Sequence, residues 1–279
     1  SLPARRQAIE LFEQYNGAGE GRLLVDFSVH AEYTCSELCL RDAAGLAAQY
    51  NTGVQLHLSE TRAEHQECKG RRGGRTPARM MADCGLFDVR AAAAHCVHLE
   101  DEDIALLAQK GVSAVYNPSS NMKLGSGVAP ISKLLRAGVN VGLGTDGAAS
   151  NNNLNMLKEA QLGLLVQCGT AQDSRALLPT TMLQMAAEAG ARLQGRTDCG
   201  GIALGNRADL AVIDLNRPHL TPLHNPLAAL MYSAAGTDVV LTMVDGRVLY
   251  RDGEFLTLDI QRITGEVRRR AAAIAAKLV

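Results

Sequence analysis

The amino-acid sequence predicts an α/β protein built on parallel βαβ units, and three observations carry that expectation. Short apolar runs of strand length alternate with segments of helical periodicity, the order that makes parallel strands with right-handed crossovers. The runs are continuously apolar rather than alternating, so both faces of the sheet are expected to be covered. Polar residues follow directly after each run, at the carboxyl ends of the strands, where barrels and doubly wound sheets both place their sites.

The elements follow in order. Residues 4–15 carry Ala8, Leu11, Phe12 and Tyr15 at helical spacing, and Asn16-Gly17 ends that helix. Strands are expected at 23–29, 53–58, 91–94, 112–116 and 139–143, with helices near 36–50, 61–69, 76–84, 101–110, 130–137 and 154–168. From about residue 198 the texture changes to Gly200-Gly201, Gly205-Asn206 and a run from Ala208 to Asp214; later, Asp245-Gly246 between two apolar runs signals a β-hairpin. The expected division is a partial (β/α) catalytic domain over 1–198, a small β-sandwich portion with a barrel-packing segment over 199–261, and a C-terminal helix over 262–279. Five strand–helix units are counted, whereas a closed barrel of this class has eight, so the front of the fold is expected to lie outside these residues.

Composition narrows the function. The 279 residues hold 28 Lys and Arg against 29 Asp and Glu, a net charge of −1. A basic nucleic-acid surface or a polybasic membrane patch needs a local excess of cations, so the expected partner is a small molecule, with no nucleic acid and no membrane. No apolar run reaches the roughly 18 residues of a spanning helix and the start lacks a signal-peptide pattern, so a cytoplasmic protein is expected. The seven cysteines form no CxxC pair and are expected to be reduced and mostly buried.

Four constellations carry chemistry. His57 ends an apolar run and Glu60 follows three residues on, so a neutral imidazole and a proton-shuttling carboxylate can share one cavity; a packed core histidine beside a helix-capping Glu fits the same pattern. His95 closes the next run and is the one of His95 and His98 expected to face the site; both could instead be structural. Asp146 leaves a buried strand into a loop of small residues, 147–153, that lets a ligand approach the backbone, although an Asp-Gly turn reads the same way. Two imidazoles and this carboxylate converging from sibling strands suit a divalent ion of the zinc or iron type. The polar segment 117–124 is expected as a loop that walls the pocket or only makes turns, and His30 places a further donor at the mouth. His219 and His224, among prolines, and Arg5 and Arg6, in a solvated first turn, are set aside.

Together these stretches resemble the amidohydrolase superfamily, specifically its deaminases of 5'-methylthioadenosine and S-adenosylhomocysteine. The matching segments are 30–35, 57–61, 93–99, 117–124 with Ser126-Gly127, 144–153, and 225–246 at Asn225-Pro226, Tyr232-Ser233 and Val244-Asp245-Gly246. The resemblance implies the later strands of a (β/α)8 TIM-type barrel of the metal-dependent hydrolase kind. It implies His57 and Asp146 as metal ligands, with Asp146 also on the attacking water. Glu60 would move a proton to the purine ring nitrogen, His95 would orient or deprotonate the water, and His30 would contact substrate; Glu60 and Asp146 would touch substrate as well. The implied reaction is hydrolytic deamination: the metal acidifies a water, hydroxide adds to C6 of the adenine ring, and ammonia leaves to give an inosyl product. One divalent metal is implied, zinc by default and iron as the variant. The family's His-x-His pair, which supplies two further ligands, does not occur in these residues. The chain by itself is therefore expected to hold metal weakly and to be a poor enzyme, and a homo-oligomer or a complementing N-terminal segment is the expected partner. Other purines, a pterin or a triazine on the same fold, and a non-catalytic fragment, stand as alternatives.

Overall fold

The computed structural model describes residues 2–277, which divide into two compact units, one up to residue 200 and one from 201 onward. In the first, helix α1 (Leu2–Tyr15) leads to strands β1 (Phe27–Ser28), β2 (Val54–Leu58), β3 (Ala91–His95), β4 (Ser113–Tyr116) and β5 (Val141–Leu143). Among the described residues they form one parallel sheet in the sequential order β1-β2-β3-β4-β5. The helices between them are α2 (Glu37–Gln49), α3 (Arg62–Arg71), α4 (Pro77–Asp83), α5 (Asp101–Lys110), α6 (Pro118–Lys123) and α7 (Ile131–Arg136). After β5 come α8 (Ala148–Asn151), α9 (Met156–Ala171), α10 (Pro179–Ala186) and α11 (Glu188–Leu193).

Local chemistry sets these boundaries. Ser36, Thr61, Thr76 and Asn155 each accept a backbone N–H from the first turn that follows, which ends the preceding loop and starts α2, α3, α4 and α9. Continuous apolar strands put the core on both faces of the sheet, as expected, with Leu40, Leu58, Phe87, Leu107, Tyr116, Leu134, Leu164 and Met182 fully buried.

Two expectations are corrected. The run 23–29 forms a strand only at Phe27–Ser28. Its first half is taken by a turn: Gly17 donates to the Leu23 carbonyl, Leu23 donates to Ala18, and the Asn16 side chain holds the Val25 N–H. Asp26 then faces sideways, ion-paired with Arg90 at 2.5 Å and accepting from Thr52 and Gly53. Segment 117–124 is not a loop but helix α6, because Pro118 takes the first helical position, where its missing N–H costs nothing.

The second unit contains β6 (Leu210–Ile213), α12 (Pro226–Tyr232), β7 (Val239–Val244), β8 (Arg247–Arg251), β9 (Glu254–Phe255) and α13 (Ile260–Ala275). Its strands make an antiparallel sheet in the order β6-β7-β8-β9. The Asp245-Gly246 turn has φ of +50° and +76°, the left-handed pair that a two-residue hairpin requires. The final residues of the helix expected over 262–279, 278 and 279, lie outside the described residues.

Candidate active site

The carboxyl ends of β2, β3 and β5 bring His57, His95 and Asp146 together, each offering a ligand atom within 4.8 Å of the others. Each donor is oriented by a neighbour. His57 Nδ1 lies 2.8 Å from the His30 carbonyl oxygen, to which it donates, leaving Nε2 bare for a cation. His95 is buried with Nδ1 2.9 Å from Asn121 Oδ1, so its Nε2 faces the cluster. The two rings stack at 5.3 Å.

Asp146 accepts from the Ser120 hydroxyl at 2.6 Å and from the Gly147 N–H at 2.6 Å. Burial alone would push this carboxyl up, but those two donors and the His95 ring outweigh it and hold Asp146 below the usual carboxylate range. An ionised carboxylate at neutral pH is what a divalent cation needs as a ligand. Glu60 sits beside the cluster, accepting from the Ser126 hydroxyl at 3.0 Å, with its second oxygen 3.7 Å from His95 Nε2. His30 is exposed at the rim, its ring 4.9 Å from that of His57, and its Nδ1 is paired with the Thr34 hydroxyl.

The backbone around these groups is held in an uncommon conformation. Ser59, His95, Cys96 and Asp146 all have positive φ, from +47° to +73°, which L residues adopt only where surrounding structure over-determines them. Such residues concentrate at sites where a side chain must be aimed at something other than its own strand. Gly144 serves the same end, since a Cβ there would lie 2.5 Å from Asn117 Oδ1 and 2.7 Å from Val115 Cγ1. Glycine leaves room for the chain after β5 to pass Val115 of β4 and the Asn117 side chain on its way to Asp146.

Several supporting residues escaped the sequence reading. Ser120 and Asn121 fall in a segment singled out for its polarity, but only the helix reveals that they point at Asp146 and His95. Glu64 is buried and receives the backbone N–H groups of Ser59, Glu60 and Thr61; the Thr61-x-x-Glu64 capping pattern was its available signal. Glu159 is fully buried on α9, accepting from the Ser119 N–H at 3.0 Å and from Asn151 Nδ2 at 2.8 Å. Asn151 also holds the Thr145 carbonyl, so Glu159 reaches the Asp146 loop through it. Nothing in the sequence around Glu159 marked it. His98, the histidine expected to stabilise a loop rather than face the site, donates from Nε2 to the Ser126 carbonyl and holds the loop that presents Ser126 to Glu60. His219 pairs with Asp238 in the second unit.

Comparison with known proteins identifies the family and the fold. The amidohydrolase family profile matches residues 1–249. The chain is 44% identical over 262 residues to a 5-methylthioadenosine/S-adenosylhomocysteine deaminase of Caldanaerobacter subterraneus, covering 94% of this chain and 60% of that protein. It is 42% identical to a 5'-deoxyadenosine deaminase of Methanothermobacter thermautotrophicus, covering 96% and 62%. Among solved structures, a zinc-bound adenosine deaminase from Xanthomonas campestris superposes with a TM-score of 0.93 at 33% identity, over 97% of this chain and 61% of that one. A zinc-bound atrazine chlorohydrolase from Arthrobacter aurescens superposes at 0.89 and 26% identity, over 95% and 59%. The chain thus spans about three fifths of the length of the relatives it matches.

Proposed function

From the premise that the chain belongs to the amidohydrolase family, we propose that it carries the later catalytic groups of a metal-dependent aminohydrolase acting on the adenine ring of 5'-methylthioadenosine or S-adenosylhomocysteine. The observation that carries this reading is the convergence of His57, His95 and Asp146 within 4.8 Å, with the Glu60 carboxylate alongside. The relatives' names supply the substrate class.

The residues fit a divalent cation of the zinc or iron type: the His57 imidazole nitrogen left bare by the hydrogen bond at its other nitrogen and the ionised Asp146 carboxylate would hold it, with the bare His95 Nε2 beside them free to act as a base. A cation there supplies Lewis acidity, making a water acidic enough to attack at neutral pH. In this reading His57 and Asp146 would be its ligands, Asp146 would also orient the attacking water, and His95 Nε2 would take that water's proton. Glu60, held by Ser126 and close to His95, would deliver a proton to the purine ring nitrogen as C6 becomes tetrahedral. The proton that His95 took from the water would pass to the exocyclic amine, the C6–N bond would break to release ammonia, and the C6 hydroxyl proton would return to Glu60 as the carbonyl forms. His30, exposed at the rim beside His57, contacts the nucleoside.

No His-x-His pair occurs in the 279 residues, and two dedicated ligands make a weakly held catalytic metal. The reading therefore includes two further ligands contributed from outside these residues, and low activity for this chain alone. The test compares this chain with a chimera in which the N-terminal region of the 44%-identical relative precedes it. Both are loaded with Zn2+ and offered 5'-methylthioadenosine, S-adenosylhomocysteine, 5'-deoxyadenosine, guanine and a triazine. Ammonia release from the adenosine thioethers by the chimera, abolished by Glu60→Gln or Asp146→Asn, is the expected outcome. Turnover of guanine or the triazine alone would overturn the substrate assignment, and a chimera that ignores every ring would overturn the reaction.

A further inference from the structure

We propose that Glu64 is a positioning residue for Glu60, a buried carboxylate that gathers the backbone of residues 59–61 and so fixes where the Glu60 side chain points. Its Oε1 accepts the Ser59 N–H at 3.2 Å, and its Oε2 accepts the Glu60 N–H at 2.7 Å and the Thr61 N–H at 3.4 Å. Glu64 is only 6% exposed. The inference rests on the reading of Glu60 as the proton carrier.

A helix cap accounts for part of this arrangement. Thr61 and Glu64 form a capping box at the start of α3, in which Thr61 Oγ1 accepts the Glu64 N–H at 3.1 Å and Glu64 returns to the Thr61 N–H. That motif needs neither the Ser59 bond nor the Glu60 bond, and the shortest of the three, at 2.7 Å, is to Glu60 itself. The extra bonds have a specific task. Ser59 lies between His57 and Glu60 with φ at +47°, a conformation disfavoured for an L residue without outside support. Its N–H is held by Glu64, its carbonyl accepts the His98 N–H at 2.9 Å, and its hydroxyl meets the buried His65 ring at 3.3 Å. The strained turn is thus pinned at every polar atom. With the peptide at 59–60 fixed, the Glu60 side chain is directed at Ser126 and His95. Burial, with the Glu60 carboxylate nearby, holds the Glu64 carboxyl above its ordinary value although the three N–H groups pull the other way.

The test uses the 279-residue chain and three substitutions. Glu64→Gln keeps the shape but turns an NH2 group toward one of the amides, so one or more N–H groups lose their acceptor. Thr61→Ala removes the other half of the capping box and leaves the bonds to Ser59 and Glu60 intact. Amide hydrogen exchange at Ser59 and Glu60 is followed by NMR, together with the side-chain carboxyl 13C signal of Glu60, identified by its loss in Glu60→Gln. A positioning role gives roughly tenfold or greater acceleration of exchange at Ser59 and Glu60 and a displaced Glu60 carboxyl signal in Glu64→Gln, with neither change in Thr61→Ala. If both substitutions act alike, or neither moves the Glu60 signal, Glu64 is a helix cap only and the inference is overturned. Should Glu64→Gln fail to fold, the parent chain decides by itself: unprotected exchange at Ser59 and Glu60 overturns the inference, and slow exchange of both supports it. None of these readouts depends on turnover, whereas the proton-carrier reading fails separately, through a Glu60→Gln chimera that keeps its activity.

Discussion

Removing the buried carboxylate of Glu159 is expected to loosen the Asp146 loop from behind. Glu159 has 0% exposure and accepts two buried donors, the Ser119 N–H and Asn151 Nδ2. Glu159→Ala strands both donors at about 1–3 kcal/mol each, and the emptied volume adds to that, so a loss of about 3–5 kcal/mol is expected. Glu159→Gln keeps one acceptor and opposes an NH2 group to the other donor, for a loss of about 1–3 kcal/mol. Because the same Asn151 group also binds the Thr145 carbonyl, the damage reaches the residue next to Asp146. Urea unfolding measures the stability and Zn2+ titration the site. The expected pattern is Ala worse than Gln in stability, with weaker Zn2+ binding in both. A Glu159→Gln chain as stable as the parent and binding Zn2+ equally well would refute the reasoning.

Other outcomes follow from single contacts. Ser120→Ala removes the hydroxyl donor to Asp146, and Zn2+ affinity is expected to fall by about ten- to a hundredfold, read by competition with a chelating dye. Gly144→Ala forces a methyl against Asn117 and Val115, and about 1–3 kcal/mol of stability is expected to go with it, read as a lower Tm. Asp26 tests electrostatics. Burial pushes its carboxyl up, but Arg90, Thr52 and the Gly53 N–H prevail and hold it below its ordinary 3.8. A depressed acid stabilises the fold above its unfolded value, and the contribution is lost as pH falls through the folded one. Asp26→Asn is therefore expected to lower Tm at neutral pH, with the gap to the parent closing below about pH 3.8.

The sequence made the sheet readable because its strands are nearly uninterrupted apolar runs, as in Ala91-Ala92-Ala93-Ala94, and such runs have little alternative to a doubly covered sheet. It made the cluster readable because His57, His95 and Asp146 each stand at a strand end, a position that hydropathy marks. Where tertiary contacts decide, it misled. The apolar segment 23–29 reads as a strand, yet the Asn16 side chain and the turn at 17–23 claim half of it. Asn117-Pro118-Ser119-Ser120 reads as a turn, although proline at the first helical position is compatible with the helix that forms. Helix α9 buries Glu159 and Gln167 while Leu165 is 54% exposed, an inversion of hydropathy that hides the most buried carboxylate near the site. Inward-facing polar groups of this kind are read from their partners, and those partners lie 40 residues away for Ser119 and 51 for Tyr116.

The most direct measurement is Zn2+ binding by this chain, by calorimetry, for the parent, His57→Ala and Asp146→Asn. One weak, saturable Zn2+ site per chain in the parent, weakened further by at least about tenfold in either substitution, is the result expected of a cation held between these strand ends by two protein ligands. Saturable binding that survives both substitutions, or no binding by a folded parent chain, would contradict it.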